Sequence, residues 1–495
     1  MVDMSKSLDL NFNQLGLRGL FYGGGWHKPV AVGYAPTLSP GSGRNICDVA
    51  QATAPDVDAA VAAARSAFPA WQAVLPLERA RILRSIADVI RRHSRELVEI
   101  DAENCGNPVS ELMGDAATAI AMLEFFAGLV TEMKGQSIPS GPNAVNFSLR
   151  QPMGVVARIL AFNHPFMFCA AKIAAPLAAG NTVIVKPPEQ APLSALRLAE
   201  LLEDVLPPGV FNVLPGGSEA GSALAEHPHV AKVSVIGSVA AGRNVMRAAS
   251  ETIKPVLLEL GGKNALIAFP DADPEAVADA MVQGMNFGWC GQSCGSTSRA
   301  YVQEAIYETV LGLLPDRIGR YKPGVPTDPG TTMGALISEN HLDRVLDYIA
   351  SAKAEGARLL TGGERPSDPA LSGGYYLEPT VFCDVTSSMR IAREEIFGPV
   401  LSVLKWTDEQ EMLAQVNALD FGLTCSIWSR DIDAACRTAL AVEAGFVWIN
   451  EVSKHYLGAP YGGVKQSGIG REECLDELIS FTQEKNIHIR ISPAS

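Results

Sequence analysis

Two rhythms of apolar residues divide the chain. From about residue 56 to 100 they recur at helical spacing, with Val57, Ala60, Val61 and Ala64 on one face and then Ile82, Ile86 and Ile90. A second helical block is predicted over roughly Ala116–Met133. From Val155 onward the period changes. The short β-branched runs VVARIL, TVIVKP, FNVLP and KVSVIG each lead through a turn into an amphipathic or alanine-rich segment, the alternation expected of a parallel, doubly wound sheet. NALIAF opens a second α/β series, with strands predicted at AYVQ, GARLL and LSVLKW. Proline and glycine mark Lys322–Gly334 and Thr361–Tyr375 as surface loops. The last strand-like segment, Lys485–Ile491, has no partner nearby in sequence and is expected to pair with another subunit or a distant sheet edge.

Between Ile159 and Val185 only Lys172 is charged, and the stretch is long enough to span a bilayer. Asn163-His164-Pro165, Pro176 and Gly180-Asn181 break it into strand, turn, helix, turn and strand, so a buried βαβ unit is predicted and no membrane partner. A chain of 495 residues is too long for one core, and 47% apolar with 19% charged residues is a well-buried composition. The net charge of −14 argues against a nucleic-acid partner, which needs clustered Lys and Arg. Nine scattered cysteines form neither zinc-type pairs nor a disulfide framework. No metal is expected, and a reducing, cytoplasmic location is. The N-terminal residues lack a continuous apolar core and read as mature protein.

Gly291-Gln292-Ser293-Cys294 sets a thiol among small residues that let a carbonyl approach the sulfur. Alone it reads more readily as a buried structural cysteine. Glu259 ends the apolar run PVLLEL just before Gly261-Gly262, where an open α/β sheet puts catalytic groups. A turn-capping role is the alternative. Asn163, in AFNHP, can offer an amide N–H to a developing oxyanion or merely cap the next helix. Lys186 and Glu189, three apart after TVIVKP, suit a ribose grip whose acid repels a 2′-phosphate. The loop Ile236–Gly242, with Gly237 and Ser238, leads into a helix whose N–H groups can hold pyrophosphate, although it is not GxGxxG.

Taken in order, FNHP, KPPEQAP, IGSVAAG, LELGGK, GQSC, EEIFGPV and PYGGVKQSGIGRE strongly resemble the aldehyde dehydrogenase superfamily, over essentially the whole chain from Phe21–Trp26 to the last strand. The resemblance implies an α/β fold with a Rossmann-like NAD-binding domain (1–130 and 150–258), an α/β catalytic domain (259–466) and a small bridging β element for oligomerisation (131–149 and 467–495). It implies that Cys294 is the nucleophile, Glu259 the base that activates the deacylating water, and Asn163 with the Cys294 backbone N–H the oxyanion hole. Lys172 and Glu472 match a buried pair that relays protons. Lys186, Glu189, Gly237, Ser238, Leu260, Glu395 and Phe397 match positions that hold NAD. The expected partners are a small-molecule aldehyde and further copies of the chain, as a homodimer or homotetramer.

The sequence departs from the family pattern at Phe162, His164, Ile236 and Trp289, where Trp, Phe, Thr and Asn are usual. These changes bear on the substrate and the nicotinamide's seat rather than on the reaction. His164, Trp289, His455 and Tyr461 fall where relatives line the aldehyde funnel, with Lys454 nearby. Their rings and donors suggest an aromatic, hydroxyl-bearing or carboxyl-bearing aldehyde, and Lys454 with the histidines should oppose a betaine-type cation. A CoA-acylating enzyme and a catalytically silent structural protein are the alternatives. Intact Glu259 argues against the first, and intact Cys294, Glu259 and Asn163 against the second. NADP use requires Glu189 to rotate aside.

Overall fold

The β-branched runs become strands where they were predicted. In the computed structural model, which describes residues 19–31 and 33–492, Phe211–Val213, Thr182–Lys186, Val155–Ile159, Val230–Ile236 and Val256–Glu259 lie side by side in parallel, in that spatial order. The mature-terminus reading rests on residues 1–18, outside the described residues. Side chains alternate between two cores. Val156, Val183 and Val185 pack on one face beside helices Pro76–Cys105 and Val109–Gly128, while Val155, Ala157 and Ile184 pack on the other beside Val57, Ala60, Val61 and Ala64. Covered on both faces, such strands need the continuous apolar runs seen in the sequence. A hairpin, Leu20–Tyr22 with Gly25–His27, and the short strand Gly468–Ile469 close the two edges antiparallel. The strand order reverses between Val155–Ile159 and Val230–Ile236, and the crevice beyond their carboxyl ends is where such sheets bind ligands.

The second sheet runs Arg358–Thr361, Thr380–Cys383, Val400–Trp406, Arg299–Gln303, Ala265–Ala268, Thr424–Trp428 and Phe446–Ile449, parallel except at its first edge strand. It has its own core. A third, antiparallel sheet joins Ser137–Ile138, Ala144–Pro152 and Thr482–Arg490. The terminal strand predicted at Lys485–Ile491 thus finds its partner in a distant segment of the same chain. It begins three residues early, at Thr482↔Pro152.

One helix differs from its predicted range. Val109–Gly128 starts seven residues before Ala116, because Ser110, Glu111, Gly114 and Asp115 interrupt the apolar pattern although Val109 and Leu112 face inward. It ends at Gly128, short of the predicted Met133. The apolar stretch from Ile159 forms strand, two short helices (Pro165–Ala171 and Ala174–Ala179) and strand. Among the described residues no helix is long and apolar enough to cross a membrane.

Candidate active site

Glu259 is the last residue of Val256–Glu259, and Asn163 stands between Val155–Ile159 and the helix Pro165–Ala171. Two parallel strand ends therefore present a carboxyl and an amide to the crevice. Cys294 comes from a loop of the second sheet, between helix Pro274–Gly284 and strand Arg299–Gln303. That loop is tightly wound. Asn286, Cys290 and Gly291 all have positive φ, and a Cβ on Gly291 would stand 2.3 Å from the Gly398 carbonyl oxygen. The Gly at the head of GQSC is thus required by backbone contact with EEIFGPV.

Two cavities meet at the sulfur. The first, about 460 Å³, is lined by His164, Lys172, Trp289, Cys294, Lys454, His455, Tyr461 and Glu472, with Asp115, Phe168 and Trp448. The second, about 400 Å³, is lined by Asn163, Lys186, Glu189, Gly237, Ser238, Glu395 and Phe397, with His341 and Arg344. Cys294 and Glu259 line both. Of the predicted site residues only Leu260 lines neither; it is buried and packs against Gly242.

Burial pushes the Glu259 carboxyl up to about 8, with the Glu472 charge adding to it and the Cys294 hydrogen bond and Lys172 opposing it. Glu259 Oε1 and Asn163 Oδ1 are buried and hydrogen-bond to no described residue. Asn163 is fixed through its backbone, whose carbonyl accepts from Asn107 Nδ2 at 2.7 Å. The Cys294 backbone N–H has no partner among the described residues. Burial raises the Cys294 thiol well above its ordinary value, and the Glu259 charge raises it further.

The predicted pair is present: Lys172 Nζ donates to Glu472 Oε2 at 2.8 Å, and both side chains are almost fully buried. Burial alone would favour the neutral amine, but the carboxylates of Glu472, Glu477 and Glu473 hold Lys172 protonated, above the usual lysine range. Arg158, not among the expected site residues, organises the pair. Its guanidinium donates to Glu472 at 3.2 Å, to Glu477 at 2.8 Å and to the Lys172 carbonyl at 2.7 Å. Its one trace in the sequence is a single charge inside VVARIL, which does not name a partner.

In the second cavity Ser238 caps the helix Val239–Ser250, its Oγ accepting from Ala241 N–H at 3.2 Å. The helix N-terminus favours an anion there. Burial lowers Lys186 to about 8, partly offset by Glu189. Glu395 Oε1 accepts from Gly262 N–H at 2.9 Å, and its Oε2 lies 2.0 Å from where a Cβ on Gly261 would stand, so Gly261 leaves room for that carboxylate. Phe397 is held at φ +56° while its carbonyl accepts from His341 Nε2 at 2.7 Å. In the first cavity each cationic or imidazole side chain already faces a carboxylate. His164 pairs with Asp115 at 2.8 Å, His455 with Glu473 at 3.0 Å and Lys454 with Glu451 at 2.8 Å. The expected opposition to a cationic substrate is thereby offset. Trp289 and Phe168 rings flank His164 at 5.4 and 5.3 Å. The described residues gather no cluster of three or more metal-ligating side chains.

Chemically, the site sets a buried thiol between a high-pKa carboxyl and free amide donors, open to one cavity on each side. Comparison with known proteins bears on what fills them. The profile of the "Aldehyde dehydrogenase family" matches residues 26–487. The chain is 51% identical to the aldehyde dehydrogenase tropH of Talaromyces stipitatus, over 96% of this chain and 94% of that one. It is 43% identical to a betaine aldehyde dehydrogenase of Cereibacter sphaeroides, over 92% and 94%. The structure of an aldehyde dehydrogenase from Bacillus cereus in complex with NAD+ superposes with a TM-score of 0.94 at 36% identity, covering 98% of this chain and 100% of that one.

Proposed function

The chain belongs to the aldehyde dehydrogenase family, and from that premise we propose that it oxidises an aldehyde to the free acid through a thioester on Cys294, with NAD as the hydride acceptor. The observation that carries this reading is the meeting of two cavities at Cys294 and Glu259. The second cavity suits a dinucleotide: a helix N-terminus for pyrophosphate, Lys186 and Glu189 for one ribose, and Glu395 and Phe397 for the other.

In the proposed reaction the Cys294 thiolate attacks the aldehyde carbon, and the C=O electron pair moves to oxygen. The Asn163 amide and the Cys294 backbone N–H donate to that oxyanion. NAD, when bound, supplies the hydride acceptor. Glu259 then takes a proton from a water that attacks the thioester, the C–S bond breaks and the acid leaves. Lys172 and Glu472, held in place by Arg158, form the buried pair through which Glu259 exchanges that proton with solvent. If CoA rather than water took the acyl group, Glu259 would have no water to activate. Identifying the product as free acid, with and without CoA, separates the two.

For the substrate, the rings of Trp289, His164, Phe168, Trp448, His455 and Tyr461 and their donors support an aromatic or hydroxyl-bearing or carboxyl-bearing aldehyde. A quaternary ammonium aldehyde is the second reading, favoured by the three carboxylates that pair with the cavity's histidines and Lys454. A panel of benzaldehydes, short semialdehydes, hexanal and betaine aldehyde decides between them by kcat/KM. Highest activity with hexanal would refute both. The free outer edge of Thr482–Arg490 supports a homodimer or homotetramer, which sedimentation would test.

A further inference from the structure

Tyr461 sits beside the sulfur in a position that ring packing alone does not require. Its backbone is clamped to Glu472 by two hydrogen bonds, Tyr461 N–H to the Glu472 carbonyl at 3.0 Å and the reverse at 2.8 Å. Its ring is wedged against His455 at 4.4 Å and Phe446 at 5.7 Å. A phenylalanine would fill that wedge equally well. The hydroxyl is what distinguishes tyrosine, and it is directed past Gly295, where a Cβ would come within 3.4 Å of it. It stands 3.9 Å from Cys294 Sγ, its one hydrogen-bond partner among the described residues. A buried hydroxyl without a partner is costly, so the sulfur is its natural acceptor.

We propose that Tyr461 is a further catalytic residue whose hydroxyl donates a hydrogen bond to the Cys294 thiolate and so sets how much of the nucleophile is ionised near neutral pH. The proposal rests on Cys294 being the nucleophile. Burial and the nearby Glu259 carboxyl both oppose the thiolate, and the Tyr461 hydroxyl acts in the opposite sense. As the S–H bond breaks, its proton leaves through the cavity to solvent and Tyr461 keeps its own. A donor that favours the thiolate about tenfold lowers the thiol's midpoint by one pH unit. Intrinsic nucleophilicity falls with thiol pKa with a slope of about 0.4–0.5, so one unit removes about threefold. Below the midpoint the balance is a gain of about threefold.

The test is the pH dependence of iodoacetamide alkylation of the full-length enzyme, with the labelled peptide identified, for wild type, Tyr461→Phe and Glu259→Gln. Tyr461→Phe should raise the midpoint by about one unit, slow labelling at pH 7 about threefold and speed the high-pH plateau about threefold. Glu259→Gln, which removes a charge opposing the thiolate, should move the midpoint the other way. A residue that only packed would change kcat/KM without moving this midpoint. Labelling at Cys294 with an unchanged or lowered midpoint in Tyr461→Phe would overturn the role of Tyr461 while leaving the nucleophile in place. Labelling of a different cysteine would overturn the nucleophile assignment and this proposal with it.

Discussion

Replacing Glu259 by Gln separates what this carboxyl does for the reaction from what it does to the fold. Burial pushes it from its ordinary 4.5 to about 8, so at pH 7 only about a tenth is ionised. A base that must be ionised then makes hydrolysis of the thioester climb about tenfold between pH 7 and 9, and kcat with it if that step limits turnover. Glu259→Gln should keep a burst of NADH near one per active site and lose the steady-state rate that follows. Stability moves oppositely. Because the folded state holds the carboxyl protonated above its unfolded value, the wild type loses stability as pH rises from about 4.5 to 8 and no further above that. The full difference is on the order of 4–5 kcal/mol. The Gln variant escapes it, so its melting temperature should match wild type at pH 4.5 and exceed it increasingly up to pH 8.5. Stopped-flow absorbance at 340 nm and thermal melts across that range check both. Loss of burst and steady state together, or a stability gap that does not widen with pH, would refute this reasoning.

Other changes probe the remaining parts. Cys294→Ala should abolish NADH formation while fluorescence titration still detects NAD binding; more than a few per cent residual turnover would sink the assignment. Like-charge repulsion between Glu189 and a 2′-phosphate should favour NAD over NADP by at least about tenfold in kcat/KM, and Glu189→Gln should narrow the gap. Arg158→Met leaves the buried Glu472 and Glu477 without a guanidinium, which should destabilise the protein by about 3–5 kcal/mol in denaturant unfolding.

How much of this was legible in the sequence depends on range. Val155–Ile159 and Thr182–Lys186 were readable because strands buried on both faces are continuous apolar runs. Thr380–Cys383 and Thr424–Trp428 escaped notice because Thr, Cys and Ser dilute their apolar signal. Cys294 and Glu259 were readable from the small residues beside them, although what crowds Gly291 and Gly261, the Gly398 carbonyl and the Glu395 carboxylate, comes from a distant segment. Arg158 was not, because its partners lie 314 and 319 residues away and no local pattern announces them. Asp115 escaped for a different reason: it lies in the part of Val109–Gly128 that polar residues disguised. Lys454 and the pocket histidines were seen as charges, but the carboxylates beside them belong to other segments for His164 and His455, so the pocket's electrical balance emerged only from the fold.

The central claim is a thioester on one named sulfur. Glu259→Gln, mixed with NAD and the best aldehyde of the panel and then quenched in acid within the burst, should carry an acyl group on the peptide containing Cys294. Its mass gain should equal that of the aldehyde less two hydrogens, and it should vanish when NAD is omitted. An unmodified Cys294 peptide alongside a full NADH burst, or an acyl group on any other residue, would contradict the account.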